Sequence, residues 1–385
     1  MRGNKIFKLL DFFIGVPLIM LLSLWVKRGS GKDLTIPRPR RILVLKLAAL
    51  GDAVLMVPAL RALRKLFPEA EIIMLGTSLT EPFLRQFPEY IDRFVLFNVG
   101  DTFRHPRELF RVVRELRICN IEVAIDFEQW TRITPLILGL LHIPARIGFR
   151  TTGQYRDFLY TQSVEKKPAH HEVENFLSLV RLLGGRDFTQ TLEIKVYQEL
   201  RSQLADRLKQ DGRKQNMPLV VFHPGCGEHG FPREWPPQNY QELAARLSHS
   251  LNPFFVISGT DQESRVMNAV TGEFPAHYSR YNISDVNGYA ALLSLSSLLV
   301  SGNNGAMHLA AALGIPQIAL HGPTNSARWG PLNPNAVVIR STCPGCPCLD
   351  LGFEYHRTDG YCMAQISVDE VFGASQQLLM KKSSS

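Results

Sequence analysis

The chain has 385 residues, 45% of them hydrophobic, and a formal net charge of +8 at pH 7. That length exceeds one ordinary domain and points to two, each with enough apolar residues for its own core. The charge does not indicate nucleic acid. Residues 1–41 hold nine Lys/Arg against Asp11 and Asp33, so the rest is close to neutral, and it carries no zinc-finger, RNP or basic-aromatic signature.

Phe12 to Val26 is apolar and uncharged, but shorter than the roughly 20 residues needed to cross a bilayer. Extending it back to Ile6 brings in Lys8 and Asp11. No small-residue cleavage site follows the basic start, so a removed signal peptide is not expected. Trp25 and the flanking Lys/Arg residues suit a helix lying in a membrane interface. A core helix of the soluble fold and a single-pass anchor are the other two readings. Residues 1–40 are therefore expected to be a membrane-associating segment and a basic linker.

Ile42 to Leu47 is predicted to be a buried strand and Val54 to Phe67 a helix, with Gly51-Asp52 at the turn between them. Such a unit puts the turn at the carboxyl end of the strand, where open α/β sheets bind ligands. Gly51 tolerates backbone angles that other residues resist. Asp52 has a carboxylate suited either to capping the helix or to taking a proton. Strands are predicted at Glu71 to Leu75, Arg93 to Phe97, Val123 to Phe127 and Ala145 to Phe149. Helices are predicted at Thr80 to Phe87, Pro106 to Leu116 and Thr134 to Leu141. This alternation implies a mostly parallel sheet with helices on both faces, over residues 41–185. His170 to Leu183 is predicted to be a helix bridging the two halves, stopped by Gly184-Gly185.

A second cycle occupies residues 186–385. Its strands are predicted at Pro218 to Phe222, Pro253 to Ile257, Ser297 to Val300 and Gln317 to Leu320, and its helices at Pro237 to Leu247 and Ala306 to Leu313. The fold class expected is α/β: two Rossmann-like domains facing across a cleft, with no internal sequence repeat.

Three loops of the second half fall at strand ends. In His223 to Pro236, Gly225, Gly227 and Gly230 expose backbone N–H groups that can cradle an anion. Arg233 adds a cationic fork suited to phosphate, or faces solvent on a surface turn. In Ser258 to Glu263, Asp261 or Glu263 can accept from ribose hydroxyls or cap the next helix. Ser301 to His308 runs into a helix whose N-terminus is an anion site. His308 there either donates to a phosphate or sugar while neutral, or is a hydrogen-bonded core histidine.

The segments ILVLKLAALGDAVLMVPALRALRKLFP (42–68), VVFHPGCGEHGFPREWP (220–236) and GNNGAMHLAAALGIPQIALHGPTNSARWGP (302–331) resemble the heptosyltransferases of lipopolysaccharide core assembly. These are ADP-heptose-dependent transferases with two Rossmann-like domains in the GT-B arrangement, and the likeness covers residues 41 to about 365. The resemblance implies Asp52 as catalytic base, with Gly51 on the acceptor side. It implies donor contacts from Gly225, Cys226, Arg233, Asn304, Gly305 and His308, a nucleoside near Asp261, and Thr324 in the same cleft. The family usually has Ser or Thr at Cys226, Lys at Arg233 and Asp at Asn303. Asn303 can still bond sugar hydroxyls but carries no charge.

The expected reaction is inverting transfer of heptose, or a related sugar, from a nucleotide-diphosphate donor to an anionic lipid-linked saccharide. The alternatives are another nucleotide sugar, or an inactive glycan-binding scaffold. No carboxylate pair spaced for Mg²⁺ stands out, so neither metal nor cofactor is expected. A nicotinamide enzyme would need the first-strand Gly-x-Gly-x-x-Gly, which is missing. The expected location is the cytoplasmic side of the bacterial inner membrane, peripheral or monotopic. Arg104, Arg107, Arg111, Arg114 and Arg117 form one helical stripe, either facing anionic lipid or simply solvated beside Asp101, Glu108 and Glu115. Arg132 is a further acceptor-side candidate. Cys343, Cys346, Cys348 and Cys362 depart from paired zinc-knuckle spacing, which favours a structural role, reduced or partly disulfide-linked.

Overall fold

The computed structural model describes residues 5–26, 38–47, 49–99, 107–227, 230–282, 285–350, 354–355 and 359–383. Linker residues 29–37, Asp101, Arg104 and Glu228-His229 lie outside the described residues. Two compact units divide the chain, Met1–Gln190 and Thr191–Ser385.

The first unit has six strands: β1 (Arg41–Leu45), β2 (Glu71–Gly76), β3 (Arg93–Leu96), β4 (Val123–Asp126), β5 (Ala145–Arg150) and β6 (Gln162–Glu165). All neighbours are parallel, in the order β3-β2-β1-β4-β5-β6, and β1 sets Ile42 opposite Ile72 on one side and Val123 on the other. The second unit has β7 (Leu219–His223), β8 (Phe254–Gly259), β9 (Tyr278–Asn282), β10 (Leu298–Gly302), β11 (Gln317–His321) and β12 (Ala336–Arg340). Its order, β12-β11-β10-β7-β8-β9, is also wholly parallel. Counted from its own first strand, each sheet runs 3-2-1-4-5-6, so each reverses direction once, between β1 and β4 and between β7 and β10.

Central strands read as unbroken apolar runs because helices cover both faces. Ile42 to Leu45 and Leu219 to Phe222 have no exposed surface. The edge strands β6, β9 and β12 escape the sequence reading. β6 (Gln-Ser-Val-Glu) and β9 (Tyr-Ser-Arg-Tyr-Asn) alternate exposure along polar residues, giving no apolar run to detect. The helix Gln198–Gln210 escapes too, since only Leu208 is buried along it.

Two local expectations are corrected. Gly51 is not in the turn but in the first turn of the helix Leu50–Leu66, and the left-handed residue of the bend is Ala49 (φ 58°). The helix predicted to bridge the halves, observed as Glu172–Arg181, packs within the first unit. Val173, Phe176, Leu177, Leu179 and Val180 are buried there, and the Phe176 ring meets Phe127 and Phe149.

The N-terminal helix Lys5–Ser23 is amphipathic with an unusual polarity. Asp11, Gly15, Ile19 and Leu22, spaced three or four apart, share one face. Ile19 joins Val26, Leu159, Leu22, Leu136 and Phe158 in a small core. Asp11 Oδ2 lies 2.6 Å from Arg132 Nη1, with both side chains almost fully buried, and Asp11 Oδ1 accepts the Arg132 N–H at 2.8 Å. A side chain at Gly15 would sit 2.8 Å from Arg132 Cδ, so glycine is what allows this approach. The charge faces the protein, while Leu9, Phe13, Ile14, Leu21, Leu24 and Trp25 are 50–80% exposed. Among the described residues no helix is long and apolar enough to cross a membrane.

Removing one partner of a buried pair strands the other charge. Asp11→Ala is therefore expected to destabilise the first unit by about 3 kcal/mol or more and to speed amide exchange along Lys5–Ser23. Asp11→Leu combined with Arg132→Met should recover much of that stability in chemical denaturation.

Candidate functional site

At the reversal of the first sheet, β1 delivers Lys46 into a fully buried position. Its Nζ lies 2.8 Å from Asp52 Oδ2 and 3.5 Å from Glu128 Oε1. The Leu47 N–H donates to the same Glu128 oxygen at 2.7 Å. Asp52 sits in the first helical turn, yet the residue at the cap position is Ala49 and no side chain caps there. Its carboxylate is instead matched to the Lys46 ammonium, the counter-charge that a buried anion requires.

From β4, Asp126 accepts from the Glu128 N–H at 2.9 Å, Arg156 at 2.8 Å and the Tyr160 hydroxyl at 2.7 Å. Burial pushes the Tyr160 phenol well above its ordinary range, so it stays a donor. Arg156 also donates to the Glu128 carbonyl at 2.6 Å. Glu128 Oε2 is buried with no hydrogen-bond partner among the described residues. Lys46 and Glu128 are missed by the sequence reading, although a lysine inside an otherwise apolar strand run is a usable signal. Arg132 is placed elsewhere: it anchors the N-terminal helix and donates to the carbonyls of Gln154 and Gly153. Arg111 pairs with Glu108 and Glu115, so that part of the basic stripe is neutralised.

In the second unit, the loops after β7 and β10 are tied together. Arg233 donates to the carbonyls of Asn303 (3.0 Å) and Cys226 (2.9 Å). Asn304 caps the helix Gly305–Ala312 by accepting the Met307 N–H, and donates to the Gly225 carbonyl at 2.8 Å. Glu263 braces the first loop from the side. It accepts the Gly227 N–H at 2.8 Å and closes a capping box with Thr260. Gly225 packs so closely that an added Cβ would lie 2.4 Å from Glu263 Cδ. His223 places Nε2 3.6 Å from Glu263 and turns Nδ1 to Tyr289 (2.9 Å).

Gly225, Cys226, Arg233, Asn303, Asn304, Gly305 and His308 thus come together at one reversal point, with Asn303 and His308 buried. Burial pushes the Cys226 thiol up to about 12, so it is protonated and unreactive at neutral pH. Asp261 and Thr324 lie on neighbouring strand ends. Asp261 accepts from Asn282 after β8, and caps no helix. Thr324 contacts His321 Nδ1 at 2.8 Å after β11, and burial lowers that imidazole to about 4, which keeps it neutral. Of the pair left open by the sequence, Glu263 is committed to the loop and Asp261 is exposed.

Two wholly parallel 3-2-1-4-5-6 sheets, one with a buried carboxylate and one with two tied loops and a capped helix N-terminus at its reversal, accompany a match of residues 109–355 to glycosyltransferase family 9 (heptosyltransferase). The chain belongs to glycosyltransferase family 9. Lipooligosaccharide heptosyltransferase 2 of Haemophilus ducreyi is 24% identical over 359 residues, 88% of this chain and 99% of that protein. Lipopolysaccharide heptosyltransferase 2 of Escherichia coli is 24% identical over 315 residues, 78% of this chain and 88% of that protein. In fold, the chain is similar to the family 9 glycosyl transferase of Veillonella parvula (TM-score 0.74, 21% identity, 89% of this chain and 98% of that one). It is also similar to Escherichia coli ADP-heptose LPS heptosyltransferase II (TM-score 0.68, 23% identity, 89% and 99%). This family 9 chain is an enzyme, a glycosyltransferase of the heptosyltransferase type with the two-unit α/β fold of the GT-B class.

The loop brace has a pH signature. Burial alone would raise the Glu263 carboxyl, but bonds from His223 and from the Thr260 and Gly227 N–H groups outweigh it and hold it down at about 2. An unfolded glutamate titrates near 4.3. As pH falls, the unfolded chain takes up the proton first. The stabilisation, of order 3 kcal/mol, is therefore complete above about pH 4.5 and lost on the way to pH 2. Glu263→Gln should melt well below wild type at pH 7, with the gap closing between about pH 4.5 and 2 in calorimetry.

Proposed function

We propose that this enzyme transfers heptose, or a closely related sugar, from a nucleotide-diphosphate donor to an anionic lipid-linked saccharide of the cell envelope, with inversion at the anomeric carbon. The carrying observation is Asp52: a buried carboxylate at the sheet reversal, 2.8 Å from the Lys46 ammonium. The printed names of the relatives, heptosyltransferases of lipopolysaccharide and lipooligosaccharide, support this donor and acceptor class.

In this reading the second unit takes the donor. The Gly305–Ala312 helix N-terminus and the N–H groups of the glycine loop receive the diphosphate. Arg233 lends positive charge to the leaving phosphate as it departs, while Asn303 bonds sugar hydroxyls. Asp261 is the nucleoside-side acceptor. Asp52 removes the proton of the acceptor hydroxyl as that oxygen attacks the anomeric carbon, and Lys46 orients it. The new glycosidic bond forms as the bond to the diphosphate breaks, and the proton ends on Asp52.

Asp52→Asn is expected to lower turnover by roughly 10²–10⁴-fold, the range of positioned proton transfer, with donor affinity nearly unchanged. Near-normal turnover in the folded variant would remove Asp52 from catalysis. Arg233→Ala should weaken donor binding as well as turnover, because it loses both the charge and the clamp between two loops. UDP-sugar binding without ADP-heptose binding in a titration panel would overturn the choice of donor.

The exposed apolar face of the N-terminal helix supports peripheral attachment to the membrane that carries the acceptor, on its cytoplasmic side. Phe13→Glu with Leu21→Glu should reduce binding to anionic phospholipid vesicles at least about tenfold, because each side chain contributes about 1.5–3 kcal/mol when buried. Donor affinity should be unaltered. Unchanged vesicle binding would exclude this face as the attachment surface.

A further inference from the structure

The loop between β12 and the C-terminal helix Val368–Ser383 contains a buried cluster made of cysteine alone. Cys343, Cys348 and Cys362 are buried and Cys346 packs against them. The Cys362 sulfur lies 3.8 Å from that of Cys343 and 3.9 Å from that of Cys348, and it is disulfide-bonded to Cys346. The sulfurs of Cys343, Cys346 and Cys362 all lie within 4.8 Å of one another. A disulfide accounts for two of these residues. It does not account for two more buried thiols beside one of its sulfurs, in a cluster that no aliphatic side chain joins among the described residues.

A tetrahedral thiolate site accounts for all four. With metal–sulfur bonds of about 2.3 Å, the sulfurs of a tetrahedron stand about 3.8 Å apart, the spacing found from Cys362 to both Cys343 and Cys348. The backbone is arranged for it: the Cys346 N–H donates to the Cys343 carbonyl across a turn with Gly345 at φ 84°. That turn presents two sulfurs from a Cys-x-x-Cys segment. The spacing Cys343-x-x-Cys346-x-Cys348 followed by Cys362 argued against a paired zinc knuckle in sequence, but ligand geometry is set by folding, which here brings three sulfurs within 4.8 Å of one another and places Cys348 beside Cys362 regardless of spacing.

We propose that Cys343, Cys346, Cys348 and Cys362, when reduced, form a structural site for one thiophilic divalent metal ion, Zn²⁺ or Fe²⁺. Loading is balanced as follows. Two equivalents of a thiol reduce the Cys346–Cys362 bond, giving two cysteine thiols and one external disulfide. The metal then binds four thiolates and releases four protons. Four protein ligands leave no open position, so the ion supports the fold and takes no part in sugar transfer.

What it supports is the donor side of the second unit. The N–H groups of Cys348 and Leu349 both bond the Pro323 carbonyl, beside Thr324. Met363, next to Cys362, packs so tightly on Gly322 that an added Cβ there would lie 2.5 Å from its sulfur. Trp235, at the end of the glycine loop, donates to the Ile366 carbonyl at 3.0 Å.

The test uses the full chain, purified under reductant and stripped of metal with a chelator, then titrated with Zn²⁺ against a chromophoric chelator and with Co²⁺ by absorption. One equivalent should bind, with thiolate-to-cobalt charge-transfer and tetrahedral ligand-field bands, and Zn²⁺ should protect four of the six cysteines from alkylation. Cys343→Ser and Cys348→Ser, which leave the disulfide pair intact, should each weaken Zn²⁺ by at least roughly 100-fold, since even residues that merely orient a ligand are worth 10–100-fold. Cys119→Ser and Cys226→Ser should bind as wild type. No stoichiometric Zn²⁺ or Co²⁺ binding by the reduced wild-type chain would overturn the site, as would wild-type affinity in the Cys343 and Cys348 variants. The wild-type titration decides the matter even if a variant fails to fold.

Discussion

A parallel sheet wound outward from its first strand must reverse direction once, and at that reversal the loops from two adjacent strands diverge to opposite faces. Backbone groups and side chains at those strand ends are left without neighbours on one side. Both sheets of this protein meet the constraint in the same order, and in each the chemically distinctive residues gather where β1 meets β4 or β7 meets β10. The rest of the architecture serves to hold those strand ends in register.

The two reversals are furnished differently. The first unit uses buried charge: the cations Lys46 and Arg156 are linked to the three carboxylates Asp52, Glu128 and Asp126 by ion pairs of 2.8–3.5 Å with almost no solvent contact. Such a set is costly to desolvate and is tolerated when every charge has a partner, which also locks side-chain direction. The second unit uses backbone. Arg233, Asn304 and Glu263 tie carbonyls and N–H groups of two glycine-bearing loops into one piece. In the proposed reaction, proton removal needs one well-oriented side chain and holding a diphosphate needs several fixed donors, and the two constructions suit those proposed tasks.

The N-terminal helix inverts the usual arrangement, with its carboxylate inside and its large apolar side chains outside. The Asp11–Arg132 pair fixes the helix to the first unit while the outward face remains apolar, and it is on this face that the proposed membrane attachment rests.

Much was determined by sequence alone. The apolar runs at 42–45 and 219–222, the glycine loops and the Asn-capped helix at 304 announce parallel α/β units and a candidate anion site, because burial on both faces and N-terminal capping leave local signatures. Asp52 was visible as a candidate but not its role, since a cap and a proton acceptor have the same spelling. Only the tertiary structure decided that Lys46 meets Asp52, that Glu128 joins them from 76 positions beyond Asp52, and that Arg132 serves the N-terminal helix. It also decided that Glu263 braces the glycine loop and that Cys343, Cys346 and Cys348 all gather around Cys362. Each of these is a contact between strand ends or loops distant in the chain. Local propensity carries no record of such contacts, and the polar edge strands β6 and β9 stayed hidden for the same reason: their partners, rather than their own residues, make them strands.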